Sequence, residues 1–332
     1  MTARPATPPH PREAAAAFRL GEVSGPVVVS ARGTLGRIWR LPTTTGAWAL
    51  KEIFDPGPSG PADALRDAAF QERALAGGIP MPRPVPALDG SVLVTVGPPD
   101  DRRAVRVYSW VELRGRDAVP PLATVGAILG RLHALAPADE RPIHPWYVRA
   151  PEPGVWPDLI GRARAAGAAW SGALERVVPI LLQTVAAAGS ARSRAGPLMT
   201  CHLDYNPENV LVDAAGEVCV VDWENSGPGD PEQELASAVA EFVREPSDAA
   251  RFLAAYRDAG GPARLVDRGS FAMTSVVQAN LVAAYARSAL EASDPEDAGR
   301  AAFWVEDIAA NAFTLERVDR WLAAASSAGI AG

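Results

Sequence analysis

The amino-acid sequence predicts an α+β protein with a small, β-rich N-terminal lobe and a large, mainly helical C-terminal lobe. Strand-like patterns are concentrated in the first third of the chain. From Trp156 onward almost every segment carries apolar residues at helical spacing. The length of 332 residues also favours two lobes, because single hydrophobic cores stop growing at roughly 250 to 300 residues.

The N-terminal lobe is predicted to begin with two strands joined by a glycine-containing turn. Val27–Ser30 is a β-branched run, and the turn after it contains Gly33 and Gly36. A third strand, Ala47–Phe54, alternates apolar and polar residues and carries Lys51. Because Lys51 is the only lysine among 32 Lys and Arg residues, we interpret it as a position where arginine cannot substitute.

A predicted helix over residues 62–76 follows and contains Glu72, 21 positions beyond Lys51. In a protein-kinase-like small lobe the backbone of a glycine turn covers nucleotide phosphates, a strand lysine contacts them and a helix glutamate steadies the lysine. Here Thr34 and the turn amides would cover the phosphates. Glu52 is an alternative partner for the lysine, although adjacent strand residues point to opposite faces.

The strongest chemical signal lies in the second half of the chain. His202-x-Asp204 is followed five residues after the aspartate by Asn209, and a short strand then ends at Asp222. Oxygen-bearing side chains at these spacings suit phosphoryl transfer around Mg²⁺. Asp204 would accept the proton of an attacking hydroxyl, while Asn209 and Asp222 would hold the metal against the phosphates.

These motifs resemble the aminoglycoside phosphotransferase and choline kinase group, the small-molecule branch of the protein-kinase-like fold. Segments matching the group's pattern extend across most of the chain: Phe70–Leu75, Gly78–Pro84, Val105–Val111, Leu129–His133, Val220–Trp223 and Gly229–Pro231. The resemblance implies a bilobal fold, ATP or GTP as donor, Mg²⁺ as metal and a small-molecule hydroxyl as acceptor. It also implies a catalytic motif containing His202 and a nucleotide-contacting connection at Ser109 and Val111.

Two residues depart from the group's usual pattern. Leu203 stands where these kinases usually have glycine, and Glu234 stands where aspartate is commoner. Neither change removes a reacting group. A protein acceptor is disfavoured, because the short stretch from Asp222 to Asp230 leaves little room for an activation loop and no Ala-Pro-Glu follows.

The charge distribution bears on the acceptor. Residues 1–200 carry a net charge of +6 and residues 201–332 a net charge of −13. A negative field in the helical lobe would favour a cationic acceptor, although solvated helix faces are often acidic. The acids in question are Glu241, Glu245, Asp248, Glu291, Asp294, Glu296, Asp297, Glu306 and Asp307. No basic stripe exists to neutralise a nucleic-acid backbone, so nucleic acid is excluded as a partner.

Aromatic residues cluster before the catalytic motif: Trp146, Tyr147, Trp156 and Trp170. They form either a wall of the acceptor site or part of the helical core, and core packing is favoured. Within the kinase interpretation the acceptor is an aminoglycoside or other antibiotic, or alternatively choline, homoserine, a thioribose or a ketosamine. The alternative to a kinase is a catalytically silent protein of the same fold that binds a nucleotide. The oligomeric state stays open.

The remaining patterns predict the chain's organisation. Residues 1–17 are expected to be a mobile tail, residues 18–108 the N-terminal lobe and residues 109–332 the C-terminal lobe. Helices are predicted over residues 122–136, 157–167, 172–189, 233–244, 247–259, 270–292 and 298–325. The sequence contains no membrane-spanning apolar run and no signal-peptide core, and it has two cysteines. We therefore expect a cytoplasmic protein.

Overall fold

The computed structural model describes residues 7–33, 36–54, 60–115, 117–191 and 196–327. The chain divides into two compact units. The first joins Met1–Pro121 to Pro207–Ser226, and the second joins Leu122–Asn206 to Gly227–Gly332. The predicted α+β class is confirmed, because the first unit is built on an antiparallel sheet and the second consists mainly of helices.

The first unit contains a six-stranded sheet in the order β1-β2-β3-β6-β4, with β5 also paired to β6. Every described pair in it is antiparallel. Its strands are β1 (Val28–Arg32), β2 (Gly36–Thr43), β3 (Gly46–Ile53), β4 (Pro84–Val85), β5 (Val94–Val96) and β6 (Arg103–Ser109). Its helices are α1 (Pro11–Ala17) and α2 (Gly60–Ala76).

The two faces of this sheet have different characters because strand side chains alternate. Leu50 and Val107 are paired across β3 and β6, and both lie in the apolar core. Lys51 and Arg106 are the next pair in the register, so their side chains point to the other face. The sheet therefore has one face that packs on the apolar core, with Leu50 and Val107, and a second face, called here the charged face, that carries Lys51 and Arg106.

Helix α1 packs against the core of the first unit, which corrects the expected mobile tail over the described residues 7–17. Ala14 is 0% exposed and Ala15 is 2% exposed, and both belong to the sheet's apolar core. The Glu13 carboxylate accepts a hydrogen bond from the Gly97 amide at 2.9 Å. The short apolar run of this segment thus buries its small side chains on the sheet.

The boundary of the first unit also differs from the predicted one. A hairpin of β8 (Val210–Val212) and β9 (Val218–Val220), assigned from sequence to the C-terminal lobe, belongs to the first unit together with residues 109–121. The reason is backbone hydrogen bonding. The Arg114 amide donates to the Val212 carbonyl at 2.8 Å, and the Val220 amide donates to the Pro80 carbonyl at 2.9 Å.

The second unit contains the remaining helices and a small sheet. The helices are α3 (Leu122–Leu135), α4 (Pro145–Val148), α5 (Val155–Ala165), α6 (Ser171–Ala191), α7 (Pro231–Phe242), α8 (Pro246–Asp258), α9 (Ala272–Glu291), α10 (Pro295–Asn311) and α11 (Leu315–Ser327). Strands β7 (Met199–Cys201) and β10 (Gly227–Gly229) pair antiparallel. Helices α5, α6, α9 and α10 supply the main core of this unit.

The helix predicted over residues 298–325 is two helices in the structure, α10 and α11. The Thr314 hydroxyl accepts from the Arg317 amide at 3.4 Å and caps the start of α11. This cap is a local signal that apolar periodicity alone does not show. None of the described helices combines the length and the apolar character needed to cross a membrane.

Candidate functional site

Lys51 lies between two carboxylates on the charged face of the sheet. Its Nζ donates to Asp222 Oδ1 at 2.7 Å and to Glu224 Oε2 at 2.6 Å. Burial disfavours the ammonium, but the two carboxylates outweigh burial and raise the pKa of Lys51. The structure thus brings together Lys51 and Asp222, two of the residues predicted to act on the nucleotide, and adds Glu224. The sequence signal for Glu224 is its place two residues after Asp222.

Glu72 does not occupy the position predicted for it. Its side chain is exposed on α2, and the carboxylates that contact Lys51 are those of Asp222 and Glu224. The acid that α2 turns inward is Asp67, which is 4% exposed. Arg106 Nη1 donates to Asp67 Oδ2 at 3.2 Å. The helical phase of α2 therefore brings Asp67, rather than Glu72, to the charged face of the sheet.

The alternative partner proposed for the lysine, Glu52, lies on the opposite face, as the alternation of the strand requires. It is 0% exposed and accepts from the indole of Trp39 at 3.3 Å. Two arginines, Arg37 and Arg103, lie within 3.9 Å of its carboxylate. Glu52 is therefore part of a buried charge cluster behind the sheet.

The glycine turn is only partly described. Thr34 lies outside the described residues, while the Gly33 amide donates to the Gly36 carbonyl at 3.0 Å. A Cβ at Gly36 would lie 2.5 Å from the Glu52 carbonyl oxygen, so the close pairing of β2 with β3 requires glycine here. This requirement is structural. The contact of the turn with a nucleotide stays a prediction.

The two residues predicted at the connection after β6 differ in their surroundings. The Ser109 amide donates to the Arg83 carbonyl, and the Ser109 hydroxyl accepts from the Arg83 amide, both at 2.8 Å. Ser109 is therefore engaged in the sheet itself. Val111 follows the end of β6 and is half-buried. A nucleotide contact at either residue stays a prediction.

The predicted metal ligands, Asn209 and Asp222, flank the hairpin of β8 and β9. The Val221 amide donates to the Asn209 carbonyl at 2.8 Å, which places Asn209 opposite the residue that precedes Asp222. Burial and the negative charge of Glu224 raise the pKa of Asp222, and Lys51 lowers it. The net result is a pKa of about 7. Carboxylate and amide oxygens are hard ligands of the kind that Mg²⁺ prefers, so these residues fit the metal that the resemblance implies.

The catalytic motif lies in the second unit, on the loop after β7. The Asp204 carboxylate is half-buried and accepts from Asn206 Nδ2 at 2.7 Å. The Tyr205 hydroxyl donates to the Val125 carbonyl of α3 at 2.8 Å. His202, predicted as a catalytic residue, is 1% exposed. The side chain is therefore enclosed, and a catalytic role for His202 stays a prediction.

Glu234 of α7 holds the backbone of this loop. Its carboxylate accepts from the Leu203 amide at 2.5 Å and from the His202 amide at 3.3 Å. Burial acts to raise the pKa of Glu234, but His133, His202 and the Leu203 amide outweigh it and lower the pKa. The carboxylate is therefore ionised and anchors the residues that precede Asp204.

His133 completes this support from α3. Its Nε2 lies 2.7 Å from Glu234 Oε2, and its Nδ1 lies 2.7 Å from the Tyr256 hydroxyl. A carboxylate only accepts, so in the neutral ring Nε2 carries the hydrogen and Nδ1 accepts from Tyr256. The Cys201 sulfur lies within 4.8 Å of a nitrogen of His133 and an oxygen of Glu234. With both histidine nitrogens engaged, the cluster is explained as a hydrogen-bonded support of the loop.

Leu203 adopts the left-handed backbone conformation, with φ 62°. This explains why glycine is usual at this position in similar kinases, since glycine reaches that conformation without the steric cost that a Cβ adds. The leucine side chain is 8% exposed and packs with Cys201 and Met273. Packing of the buried side chain thus offsets backbone strain beside Asp204.

We expect Leu203→Gly to be more stable than Leu203→Ala, the reverse of the usual order. Both variants lose the packing of the buried leucine, which costs about 2–4 kcal/mol. Only glycine relieves the left-handed strain, which stabilises it relative to alanine by about 1 kcal/mol. Urea unfolding of the three proteins measures this order. A more stable alanine variant would contradict the strain at Leu203.

The aromatic cluster divides into two groups. Trp156 and Trp170 are 2% and 6% exposed and lie in the helical core, which agrees with the favoured interpretation for them. Trp146 and Tyr147 lie on α4, and Tyr147 packs beside Leu203. Burial raises the pKa of Tyr147, and the negative charge of Asp204 adds to the effect. Tyr147 therefore lies in the neighbourhood of Asp204.

Several of the acidic residues of the C-terminal region have local structural roles. Glu291 accepts from Arg162 at 2.6 Å, and Arg300 donates to both Glu296 and Asp297 within 3.3 Å. The Asp294 side chain caps α10 by accepting from the Glu296 amide at 2.9 Å. These ion pairs and this cap account for part of the acidic excess without a cationic ligand.

Three solved structures share the fold at low sequence identity. A spectinomycin phosphotransferase in complex with ADP and spectinomycin has a TM-score of 0.60 and 13% identity, covering 86% of this chain and 89% of that chain. A microcompartment-associated aminopropanol kinase has a TM-score of 0.55 and 20% identity, covering 96% and 98%. An aminoglycoside phosphotransferase from Alicyclobacillus acidocaldarius has a TM-score of 0.54 and 16% identity, covering 91% and 92%.

Family membership rests on the sequence itself. Among curated proteins, none matches this chain. The family model described as phosphotransferase enzyme family matches residues 29–269, a range that includes the charged face of the sheet and the catalytic motif. Because that range covers more than half of the 332 residues, the chain belongs to the phosphotransferase enzyme family.

Proposed function

We propose that this protein transfers the γ-phosphoryl group of ATP, or of GTP, to a hydroxyl group of a small, amine-bearing molecule. The observation that carries the proposal is Lys51, the only lysine, held between Asp222 and Glu224 in a chain of the phosphotransferase enzyme family. Phosphoryl transfer needs mainly positioning and charge neutralisation from a protein. A charged lysine beside carboxylates able to bind a metal supplies both.

Each group has a role in the proposed reaction. Lys51 contacts the phosphates of the nucleotide, and Asp204 accepts the proton of the acceptor hydroxyl. The hydroxyl oxygen forms a bond to the γ-phosphorus as the bond from phosphorus to the nucleoside diphosphate breaks. Asn209 and Asp222 would hold Mg²⁺, which neutralises phosphate charge when bound. Glu234 keeps the loop in place while Asp204 takes the proton.

The neighbourhood of Asp204 supports an acceptor that carries an amine. Tyr147 interacts electrostatically with this carboxylate, and an aromatic ring and a negative charge both attract a small cation. Two proteins of similar fold are named for amine-containing acceptors, an aminopropanol kinase and an aminoglycoside phosphotransferase. The acidic residues of the C-terminal region add little support, because several are paired or act as caps.

An acceptor screen tests this proposal. The protein is incubated with Mg²⁺ and ATP or GTP, together with aminoglycosides, other basic antibiotics, nucleosides, choline, aminopropanol, homoserine or methylthioribose. We expect release of nucleoside diphosphate with one chemical class, and mass spectrometry should show one added phosphoryl group on the acceptor. A product from an acceptor without an amine would overturn the substrate class. The absence of nucleotide binding would overturn the proposal as a whole.

A further inference from the structure

Three side chains, Glu224, Arg106 and Asp67, connect Lys51 to helix α2. Glu224 Oε2 accepts from Lys51 Nζ at 2.6 Å, and Glu224 Oε1 accepts from the Tyr108 hydroxyl at 2.9 Å. Arg106 Nη1 lies 3.8 Å from Glu224 Oε1 and donates to Asp67 Oδ2 at 3.2 Å. The contacts therefore run without interruption from the lysine through Glu224 and Arg106 to Asp67.

The strand register explains why these groups meet. Lys51 of β3 is paired with Arg106 of β6, so both side chains lie on the same face of the sheet. Tyr108 is two residues after Arg106 on β6, so its side chain points to the same face as that of Arg106. Glu224 lies on the short 3₁₀ helix Trp223–Asn225 and points to the same face of the sheet. Asp222, the residue before this helix, is in the left-handed conformation, with φ 62°.

Burial makes these contacts strong. The Arg106 and Asp67 side chains are 3% and 5% exposed, and the Glu224 side chain is 20% exposed. Charge-assisted hydrogen bonds gain strength where water is excluded. Glu224 contacts two cationic side chains and one hydroxyl, so it is held in one position. Glu72, in contrast, is exposed on α2.

We propose that Glu224 is the positioning residue for Lys51, and that Arg106 couples it to Asp67 so that the placement of α2 controls nucleotide affinity. This inference rests on the proposed function, because Lys51 is taken there as the phosphate contact. Helix α2 acts on the lysine through Asp67, Arg106 and Glu224. Glu224 itself acts through Lys51 and is a positioning residue.

Nucleotide affinity without an acceptor tests the role of Glu224. Isothermal titration with ATP compares wild type, Glu224→Gln and the control Glu217→Gln, whose exposed side chain lies in the β8–β9 turn. Glutamine keeps the size of glutamate and loses its charge, so we expect Glu224→Gln to weaken ATP binding by about tenfold. Glu217→Gln should bind as wild type does. Equal affinity of Glu224→Gln and wild type would overturn the proposal.

Titrations with Mg²⁺ and with EDTA separate positioning from metal binding. A positioning role through Lys51 predicts a loss of affinity under both conditions. A loss seen only with Mg²⁺ would overturn it, since Glu224 would then act on the metal. If wild type binds no nucleotide, the proposed function itself fails, whereas binding by wild type with unchanged Glu224→Gln contradicts only this inference. Glu224→Asp, which keeps the charge, should recover part of the affinity.

A double-mutant cycle tests the coupling to α2. Asp67→Asn, which does not touch Lys51, should weaken ATP binding by about threefold in wild type and have no further effect in Glu224→Gln. Asp63→Asn, one turn earlier and exposed, is the matched control and should leave affinity unchanged. Equal effects of Asp67→Asn in both backgrounds would overturn the coupling. Thermal melting of each variant verifies that it is folded.

Discussion

Asp204→Asn should lower kcat by about 10² to 10⁴, the usual range for loss of a positioned general base. Asparagine has the size of aspartate but cannot accept a proton. Its carbonyl oxygen can still accept the hydrogen bond that Asn206 Nδ2 makes to Asp204 at 2.7 Å. Melting temperature and nucleotide affinity should therefore stay close to those of wild type, and the loss should be confined to turnover.

A matched aspartate makes this test specific. Asp213 accepts the Glu217 amide in the β8–β9 turn at 2.9 Å, and Asp213→Asn should change kcat by less than about twofold, as expected away from the chemistry. Steady-state kinetics with an acceptor identified in the screen measure both variants. An Asp204→Asn enzyme that keeps a tenth or more of wild-type turnover would remove Asp204 from the role of base.

The sequence singled out candidate residues whose chemistry has few substitutes, and the roles of these residues stay predictions. A lone lysine on an alternating strand indicated Lys51, and two oxygen ligands flanking a short hairpin indicated Asn209 and Asp222. The structure places Lys51 against Asp222 at 2.7 Å. Such residues can be inferred because local strand patterns and motif spacing already determine which of them share a face or a hairpin.

The phase of α2 was harder to infer. Its buried face carries Ala64, Asp67 and Gln71, whereas Leu65 is 51% exposed and lies on the same side as Glu72. Because Leu65 is apolar but exposed, the apolar periodicity of the helix does not show which side is buried, and so it does not predict that Asp67 points inward. Choosing the glutamate by its chemical type alone therefore selected a residue that the structure leaves exposed.

The support of Lys51 by Glu224 could not be inferred from local patterns either. The contact joins residues 173 positions apart in sequence, and it depends on a left-handed turn at Asp222. Aspartate reaches that conformation less often than glycine does. Since neither a distant contact nor an unusual backbone conformation leaves a periodic pattern, the structure was needed to show them.

Two replacements of Lys51 test separately the importance of its charge and of its shape. Lys51→Met leaves Asp222 and Glu224 without their shared cation, which should destabilise the fold by on the order of 3 kcal/mol, the low end for removing one partner of a buried pair. The low end applies because the Asp222 side chain is 41% exposed and water shares its charge. Lys51→Arg keeps the charge, so its stability should lie closer to that of wild type.

Both variants should nevertheless lose phosphoryl transfer. Methionine cannot contact a phosphate, and the planar guanidinium cannot take the place of a compact ammonium that is 13% exposed between two carboxylates. We expect ATP affinity to fall by at least about tenfold in each variant, as for loss of a charged hydrogen bond. Titration with ATP and urea unfolding measure the two effects. Wild-type affinity in Lys51→Arg would show that any cation suffices at this position.

The destabilisation by Lys51→Met should also depend on pH. Partial burial raises the pKa of Asp222 to about 7 even with Lys51 present, and loss of the cation raises it further. The folded variant then keeps a proton that the unfolded chain releases near pH 3.8, the ordinary value for aspartate. Because wild-type Asp222 also keeps its proton up to about pH 7, stability relative to wild type should fall as pH rises above about 7. Unfolding in EDTA measures this trend, and a pH-independent difference would contradict the shared charge of Lys51, Asp222 and Glu224.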